Sequence, residues 1–84
     1  MNEKADKLRD RTHRFFIRVI ALCERLPRTA AAFAITKQLL DSAGSTDSNY
    51  RAACRARSLK EFIAKIGVAA EEADESLGWL LVAS

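Results

Sequence analysis

The 84-residue sequence predicts an all-α protein, an up-and-down helical bundle in a single domain spanning residues 1–84. Three observations lead to this fold class. Apolar residues recur at spacings of three and four along most of the chain, which is the period of an amphipathic helix. Pro27 interrupts the first such segment. Ser58-Leu-Lys-Glu61 has the pattern of a capping box, which predicts the start of the last helix.

The first helix is predicted over about residues 3–26. Its apolar residues form a wide stripe, which is typical of a helix that contacts two neighbours. The stripe comprises Leu8, Phe15, Val19, Leu22 and Leu26, with Phe16, Ile20 and Cys23 beside it. The helix is expected to end before Pro27, because proline lacks a backbone donor and disfavours helical geometry at the preceding residue.

The second helix is predicted over about residues 29–56. Residues 44–49 read locally as a loop, because they are glycine followed by short polar side chains. An apolar stripe nevertheless keeps helical spacing straight through them, which favours one continuous helix. The stripe comprises Phe33, Thr36, Leu40, Ala43, Asp47, Tyr50 and Cys54. Gly44 is expected to weaken or bend this segment, since glycine costs about 1 kcal/mol inside a helix.

The third helix is predicted over about residues 58–82. Ser58 is its expected N-cap, with the hydroxyl accepting from the Glu61 amide and the Glu61 carboxylate reaching back to the Ser58 amide. Its apolar stripe comprises Leu59, Phe62, Ile63, Ile66, Ala70, Ala73, Leu77, Leu80 and Leu81. We expect this stripe to be the side that packs in the bundle.

Charge is distributed unevenly along the chain. Residues 1–28 carry a net charge of +4, residues 29–57 carry +2 and residues 58–84 carry −3, within a total of +3. A basic N-terminal part and an acidic C-terminal part indicate self-association between unlike surfaces, an anionic partner for the N-terminal part, or both.

Composition argues against several classes of protein. Cys23 and Cys54 lack a pairing motif or ligand spacing, and His13 is the single histidine, so we expect reduced thiols and no metal site or cofactor. The charged N-terminus is not a secretory signal and no apolar run is long enough to span a membrane, which predicts a cytoplasmic location. No catalytic triad, phosphate loop or nucleophile elbow is present, so neither an enzyme nor a small-molecule substrate is expected.

Residues 38–62 and 71–79 carry a specific pattern. The residues that carry it in the first segment are Gln38, Ser42, Ala43, Ser45, Ser48, Asn49, Ser58, Lys60, Glu61 and Phe62. On these residues the chain resembles the bacterial four helix bundle protein family, which is related to the protein encoded in intervening sequences of 23S rRNA genes. The resemblance extends over about residues 15–81, and other relatives include accessory proteins of diversity-generating retroelements, which work with a reverse transcriptase and nucleic acid.

The resemblance implies a continuous second helix and a symmetric homo-oligomeric ring, often described as a pentamer. It also implies four helices, whereas this sequence supplies three. Either a C-terminal segment is missing from the sequence, or a neighbouring subunit covers the apolar end of the third helix. We expect a truncated or variant member of the family.

A basic ridge on the first helix is the leading candidate for a functional surface. It comprises Lys4, Lys7, Arg11, Arg14, Arg18 and Arg25, which fall within about 80° of one another on a helical wheel. Arg51, Arg55 and Arg57 form a second basic cluster near the start of the third helix. Such a ridge suits a phosphate backbone, but it also suits a solvated surface or an ion-paired contact with an acidic helix of a neighbour.

Four further residues are predicted to be structural or interface residues: Asn49, Tyr50, Glu72 and Trp79. Asn49 lies mid-helix, where asparagine is a poor helix former, so we expect it to make a buried hydrogen bond to Glu72 or Ser76. Tyr50 and Trp79 are expected interface anchors. The acidic cluster from Glu71 to Glu75 is interpreted as solvated or ion-paired, with Arg51, Arg55 or the first helix of another subunit as partner.

The sequence therefore predicts a non-enzymatic, homo-oligomeric helical scaffold or interaction protein. The alternative, from a different functional class, is a nucleic-acid-binding accessory module that uses the basic ridge. Charge reversal along the ridge would change oligomer mass in the first case and nucleic-acid affinity in the second.

Overall fold

The structure is a computed structural model, and residues 3–84 of the chain are described from it. Within that part of the chain it consists of three α-helices: α1 (Glu3–Arg25), α2 (Ala30–Cys54) and α3 (Leu59–Ala83). The predicted all-α bundle is confirmed. Each predicted boundary lies within two residues of the observed one, and the largest difference is at the end of α2.

The helix ends follow from local chemistry. Thr29 has extended backbone geometry and its hydroxyl accepts from the Ala32 amide at 3.1 Å, which makes it the N-cap of α2. Ser58 caps α3 in the same way, accepting from the Glu61 amide at 3.1 Å, so this part of the predicted capping box is confirmed. At the end of α2 the Arg55 amide turns back to the Ala52 carbonyl in a tighter turn, so the helix ends two residues earlier than predicted.

The α2 helix lies between the other two. It packs against both α1 and α3, whereas no Cα atoms of α1 and α3 approach within 8 Å of each other in residues 3–84. The core centres on Val19, Leu39 and Ala43, with Phe15, Phe16, Trp79 and Leu80 among the partly buried residues packed against them. This arrangement leaves a gap between α1 and α3 on one side of α2.

Residues 44–49 are helical, as the continuous apolar stripe predicts. The stripe lies on the side of α2 that meets α1: Asp47 contacts α1, and a Cβ added to Gly44 would lie 3.1 Å from the Phe16 ring. The glycine that looks like a loop signal therefore permits close approach of an α1 aromatic ring to the α2 backbone.

The orientation of α3 differs from the prediction. Its buried residues are Ala69 and Ser76, which meet α2, whereas most large residues of the predicted stripe are exposed. The exposed members are Leu59, Phe62, Ile63, Leu77 and Leu81. Small side chains let two helix backbones approach closely, and here that contact takes precedence over burial of the larger residues. We call these five residues the outer apolar stripe of α3.

Among the helices of residues 3–84, none combines the length and the hydropathy that a membrane-spanning segment needs.

Candidate interaction surfaces

The basic ridge is an exposed surface of α1. All six of its side chains are exposed, on the side of the helix that turns away from α2. Lys7 pairs with Glu3 one turn earlier, at 3.2 Å. Within residues 3–84, no carboxylate lies within ion-pair distance of Arg11, Arg14 or Arg18. Three adjacent guanidinium groups are thus available to an external anionic partner.

The second basic cluster is not continuous with the ridge. Arg51 and Arg55 border a shallow pocket with Arg9, Asp10 and His13 of α1. Arg9 and Arg18 are nine residues apart, which is half a turn out of phase at 100° per residue, so this pocket and the ridge lie on opposite sides of α1. The structure therefore separates the residues predicted to bind nucleic acid into two surfaces. Arg57 follows the end of α2 and lines a separate pocket with Glu61.

Carboxylates moderate the charge of that second surface. Asp47, whose side chain is 8% exposed, lies 3.1 Å from His13 Nδ1 through its Oδ2 atom and 3.7 Å from the Arg51 guanidinium. Its Oδ1 atom lies 3.4 Å from the Thr12 hydroxyl. Arg9 pairs with Asp6 at 3.6 Å. This cluster joins α1 to α2, and its cations are already partly neutralised.

Sequence reasoning identified neither this cluster nor the role of His13. A signal was present, because Asp47 stands within an otherwise apolar or weakly polar stripe. A carboxylate at such a position requires a partner when it is buried. The partner lies 34 residues away in sequence, so the pairing depends on the packing of α1 against α2.

The predicted hydrogen-bond partner of Asn49, Glu72 or Ser76, is wrong. The Asn49 side-chain amide donates to the Ser45 carbonyl at 2.9 Å and contacts the Ser45 hydroxyl at 3.0 Å, one turn back in the same helix. The polar contact between α2 and α3 is made instead by Ser42 and Ser76, whose hydroxyl oxygens lie 2.8 Å apart in a buried position. Ser76 also donates to the Glu72 carbonyl at 2.9 Å, so Glu72 takes part through its backbone.

The two aromatic residues predicted as interface anchors are used within the chain. Tyr50 is buried, and its hydroxyl donates to the Ala5 carbonyl at 3.2 Å, which ties α2 to the start of α1. Burial raises the pKa of the Tyr50 phenol above its usual value of 10.0, and the neighbouring Cys54 thiol adds to the shift. Trp79 is half-buried against the core.

Of the acidic residues of α3, Asp74 lies beside the outer apolar stripe, whereas Glu75 lies on the opposite side of the helix. Glu71, Asp74 and Glu75 are exposed, and within residues 3–84 no cation lies within ion-pair distance of any of them. Arg51, one of the alternative partners expected for these acids, pairs instead with Asp47 on its own helix. The same part of the chain contains no group of three or more histidine, cysteine, aspartate or glutamate side chains arranged to hold a metal ion.

Comparison with known proteins identifies one family. The sequence model of the 23S rRNA-intervening sequence protein family matches residues 5–84. No curated protein and no solved structure matches this chain.

Proposed function

We propose that this chain, which belongs to the 23S rRNA-intervening sequence protein family, is a non-enzymatic scaffold that works as a homo-oligomer in the cytoplasm. The observation that carries the proposal is the outer apolar stripe of α3. Leu59 is 73% exposed, Leu81 is 66% exposed and Leu77 is 53% exposed. Large apolar side chains aligned on one helix surface are typical of a protein–protein contact.

The size of the core supports the same proposal. Leu39 and Ser76 are the largest side chains that are fully buried in residues 3–84. A chain of 84 residues supplies a limited core by itself, and association with further copies is one of the few ways to enlarge it. Burial of the stripe between subunits would provide that enlargement, at about 25 cal/mol for each Å² of apolar surface removed from water.

The test is the mass of the protein in solution. Sedimentation equilibrium over about a hundredfold range of concentration should give a mass that is a multiple of the 9.3 kDa chain. A mass of five chains would match the ring that the family resemblance implies. A mass of 9.3 kDa at every concentration would contradict the proposal.

A second candidate function, nucleic-acid binding, is favoured by the basic ridge. Arg11, Arg14 and Arg18 project from successive turns and are free of carboxylate partners in the described chain. Cations aligned in this way neutralise backbone phosphates and release counterions, so affinity falls steeply with salt. The ridge contains no aromatic side chain for base stacking, so binding would be insensitive to sequence.

The test of this candidate is fluorescence anisotropy with a labelled structured RNA and a DNA duplex at several salt concentrations. Replacement of Arg11, Arg14 and Arg18 by glutamine should reduce the slope of log K against log salt by about three. A matched control replaces three exposed cations outside the ridge, Arg28, Lys37 and Lys60, by glutamine and should change the slope less. Equal effects of the two triple variants would indicate non-specific attraction, and absence of binding near physiological salt would exclude this function.

A further inference from the structure

A shallow polar pocket lies at the boundary between α1 and α2. It has a volume of about 320 Å³ and is lined by Arg9, Asp10 and His13 from α1 and by Arg51 and Arg55 from α2. The pocket is separate from the basic ridge, which lies on the other side of α1. Ligand sites in proteins usually have volumes of roughly 300–1,000 Å³, so this pocket suits one small polar group rather than a large molecule.

The lining brings like charges together from two helices. Arg9 and His13 are four residues apart on α1, so both lie on one side of that helix. The same spacing places Arg51 and Arg55 on one side of α2. Packing of α1 on α2 brings the two sides together at the pocket. Like charges at such short separations reduce the free energy of unfolding, and an anion bound between them would remove that cost.

The nearby carboxylates leave guanidinium donors unused. The Asp6 carboxylate lies 3.6 Å from the Arg9 guanidinium, and the Asp47 carboxylate lies 3.7 Å from that of Arg51. Both distances are longer than the roughly 2.7–3.2 Å of an N–H···O hydrogen bond. Arg55 has no carboxylate within ion-pair distance in residues 3–84. Since a guanidinium carries several N–H donors in a planar fork, all three arginines retain donors for a ligand in the pocket.

The positions of the carboxylates also favour an anion. Asp47 has a side chain that is 8% exposed, and it is not part of the pocket lining. Its Oδ2 atom lies 3.1 Å from His13 Nδ1, so it helps to fix His13 and Arg51 at the pocket. Asp6 is also outside the lining. Asp10 is therefore the one carboxylate among the described residues that line the pocket, and the lining arginines outnumber it.

The arrangement fits a tetrahedral oxyanion, and in particular a phosphate group. Arginine forks donate paired hydrogen bonds to phosphate or carboxylate oxygens. Phosphate oxygens project in several directions and can accept from arginines of both helices, whereas a planar carboxylate has only two oxygens. Three arginines and one aspartate give the lining a formal charge of +2 when His13 is neutral. A phosphomonoester carries about −1.5 to −2 at pH 7, so it matches this charge better than the singly charged diester of a nucleic-acid backbone.

We propose that the pocket between α1 and α2 binds a phosphomonoester group. Arg9, Arg51 and Arg55 donate to its oxygens, and the negative charge of Asp10 opposes binding. The phosphate group belongs either to a small phosphorylated molecule or to the end of a nucleic-acid strand. The site is independent of the proposed homo-oligomer, because the outer apolar stripe contributes no residue to it.

The first experiment is thermal denaturation in increasing inorganic phosphate, with chloride adjusted to keep the ionic strength constant and with the chain concentration fixed. Phosphate should raise the melting temperature of the original chain, because a ligand that binds the folded protein stabilises it. Arg9→Gln with Arg55→Gln should weaken the apparent affinity for phosphate by about tenfold or more, since it removes charge-assisted hydrogen bonds. The matched control, Arg14→Gln with Arg18→Gln, removes two charges from the basic ridge and should change the affinity by less than about twofold.

Asp10→Asn tests the sign of the charge effect. Asp10 is exposed and has no ion-pair partner in residues 3–84, so its replacement should leave the melting temperature in chloride alone nearly unchanged. It should strengthen phosphate binding several-fold, because it removes a negative charge from the lining. This variant still tests the site if the double variant of Arg9 and Arg55 does not fold, which circular dichroism checks.

The second experiment identifies the source of the phosphate group. Fluorescence anisotropy compares a short labelled RNA that carries a 5′-phosphate with the same RNA that carries a 5′-hydroxyl. Tighter binding of the phosphorylated RNA, lost in Arg9→Gln with Arg55→Gln, would identify the strand end as the source. Equal binding of the two RNAs, together with a rise in melting temperature in ribose 5-phosphate that the same variant abolishes, would identify a small phosphorylated molecule.

Three results would overturn the inference. Phosphate could fail to raise the melting temperature above that in chloride of equal ionic strength. It could stabilise the two double variants equally, which would show a general effect of the anion. Asp10→Asn could bind phosphate no better than the original chain, which would show that the pocket lining does not control binding. Each of these results leaves the proposed homo-oligomer standing, because that proposal is tested by the sedimentation mass.

Discussion

The two surfaces that α2 presents to its neighbours are built differently. Towards α3 the contact consists of small side chains, with Ser42 and Ser76 in direct hydrogen-bond contact at 2.8 Å and Ala53 and Ala69 also buried. Towards α1 the contact includes a charged side chain, because the Asp47 carboxylate lies 3.1 Å from His13 Nδ1. The first contact is specified by size and the second by hydrogen bonding and charge.

This difference accounts for the surface of the molecule. Because α3 turns its small residues towards α2, its large apolar residues are left on the outside, where they form the outer apolar stripe. Because α1 meets α2 through Phe15, Phe16 and Val19 and through polar contacts, its cations remain on the opposite side. Packing inside the chain thereby leaves two surfaces exposed, the outer apolar stripe of α3 and the basic ridge of α1.

The largest change in stability is expected when a larger side chain is placed in the contact between α2 and α3. Ser76→Leu should reduce the free energy of unfolding by about 3 kcal/mol, because a fully buried serine between two close helices has no space for a larger side chain. Val68 is exposed on the side of α3 opposite the outer apolar stripe, so Val68→Leu should change the free energy of unfolding by less than about 0.5 kcal/mol. Chemical denaturation at fixed chain concentration measures both, and equal effects would show that the contact between α2 and α3 is loose.

The contact towards α1 should instead respond to loss of charge. Asp47→Ala should reduce the free energy of unfolding by about 2 kcal/mol, because it removes the buried acceptor of His13 and Arg51. Asp41→Ala is the matched control: this residue is also an aspartate of α2 in an i,i+4 pair, with Lys37 at 3.1 Å, but it is exposed. Its removal should cost less than about 0.5 kcal/mol. Similar losses in the two variants would mean that Asp47 has no special role.

The sequence predicts the helices themselves well, because their limits depend on local chemistry. Pro27, the Ser58 cap and the uninterrupted stripe through Asp47 each act within a few residues of the chain. The observed helix limits agree with those signals. The same locality explains why Thr29 and Ser58 use their hydroxyl groups in equivalent ways.

The surface that each helix buries was harder to predict. Apolar spacing gives the position of the apolar side of α3, but it does not show whether α2 or another subunit covers that side. The contact of Ser42 with Ser76 spans 34 residues of sequence, and so does that of His13 with Asp47. Such pairs depend on how the helices are rotated about their axes, which a single sequence does not specify.

Tyr50 provides a pH-dependent test of the contact towards α1. Its pKa is raised above 10.0 by burial, so the unfolded chain ionises at a lower pH than the folded one. The protonated Tyr50 phenol therefore makes its full contribution to the free energy of unfolding below pH 10. That contribution is lost as the pH rises through the pKa of Tyr50 in the folded protein. Tyr50→Phe should cost about 1 kcal/mol at pH 7 by removing the hydrogen bond to the Ala5 carbonyl. Above pH 10 the difference between the two proteins should shrink in urea denaturation, whereas a constant difference would show that the phenol is not protected by burial.

The smallest change in stability is expected from replacing two glycines by alanine. Gly44 lies in the contact between α1 and α2, and Gly67 lies outside it. A Cβ added at Gly67 would meet no atom within 4 Å, so Gly67→Ala should increase the free energy of unfolding by about 0.5–1 kcal/mol through helix propensity alone. At Gly44 the added Cβ would lie 3.1 Å from the Phe16 ring, and displacement of that ring offsets the gain in propensity. Gly44→Ala should therefore be less stable than Gly67→Ala in thermal denaturation at equal concentration. If the two alanine variants gain equally, α1 does not hold Phe16 against α2, and the contact towards α1 depends on its polar groups alone.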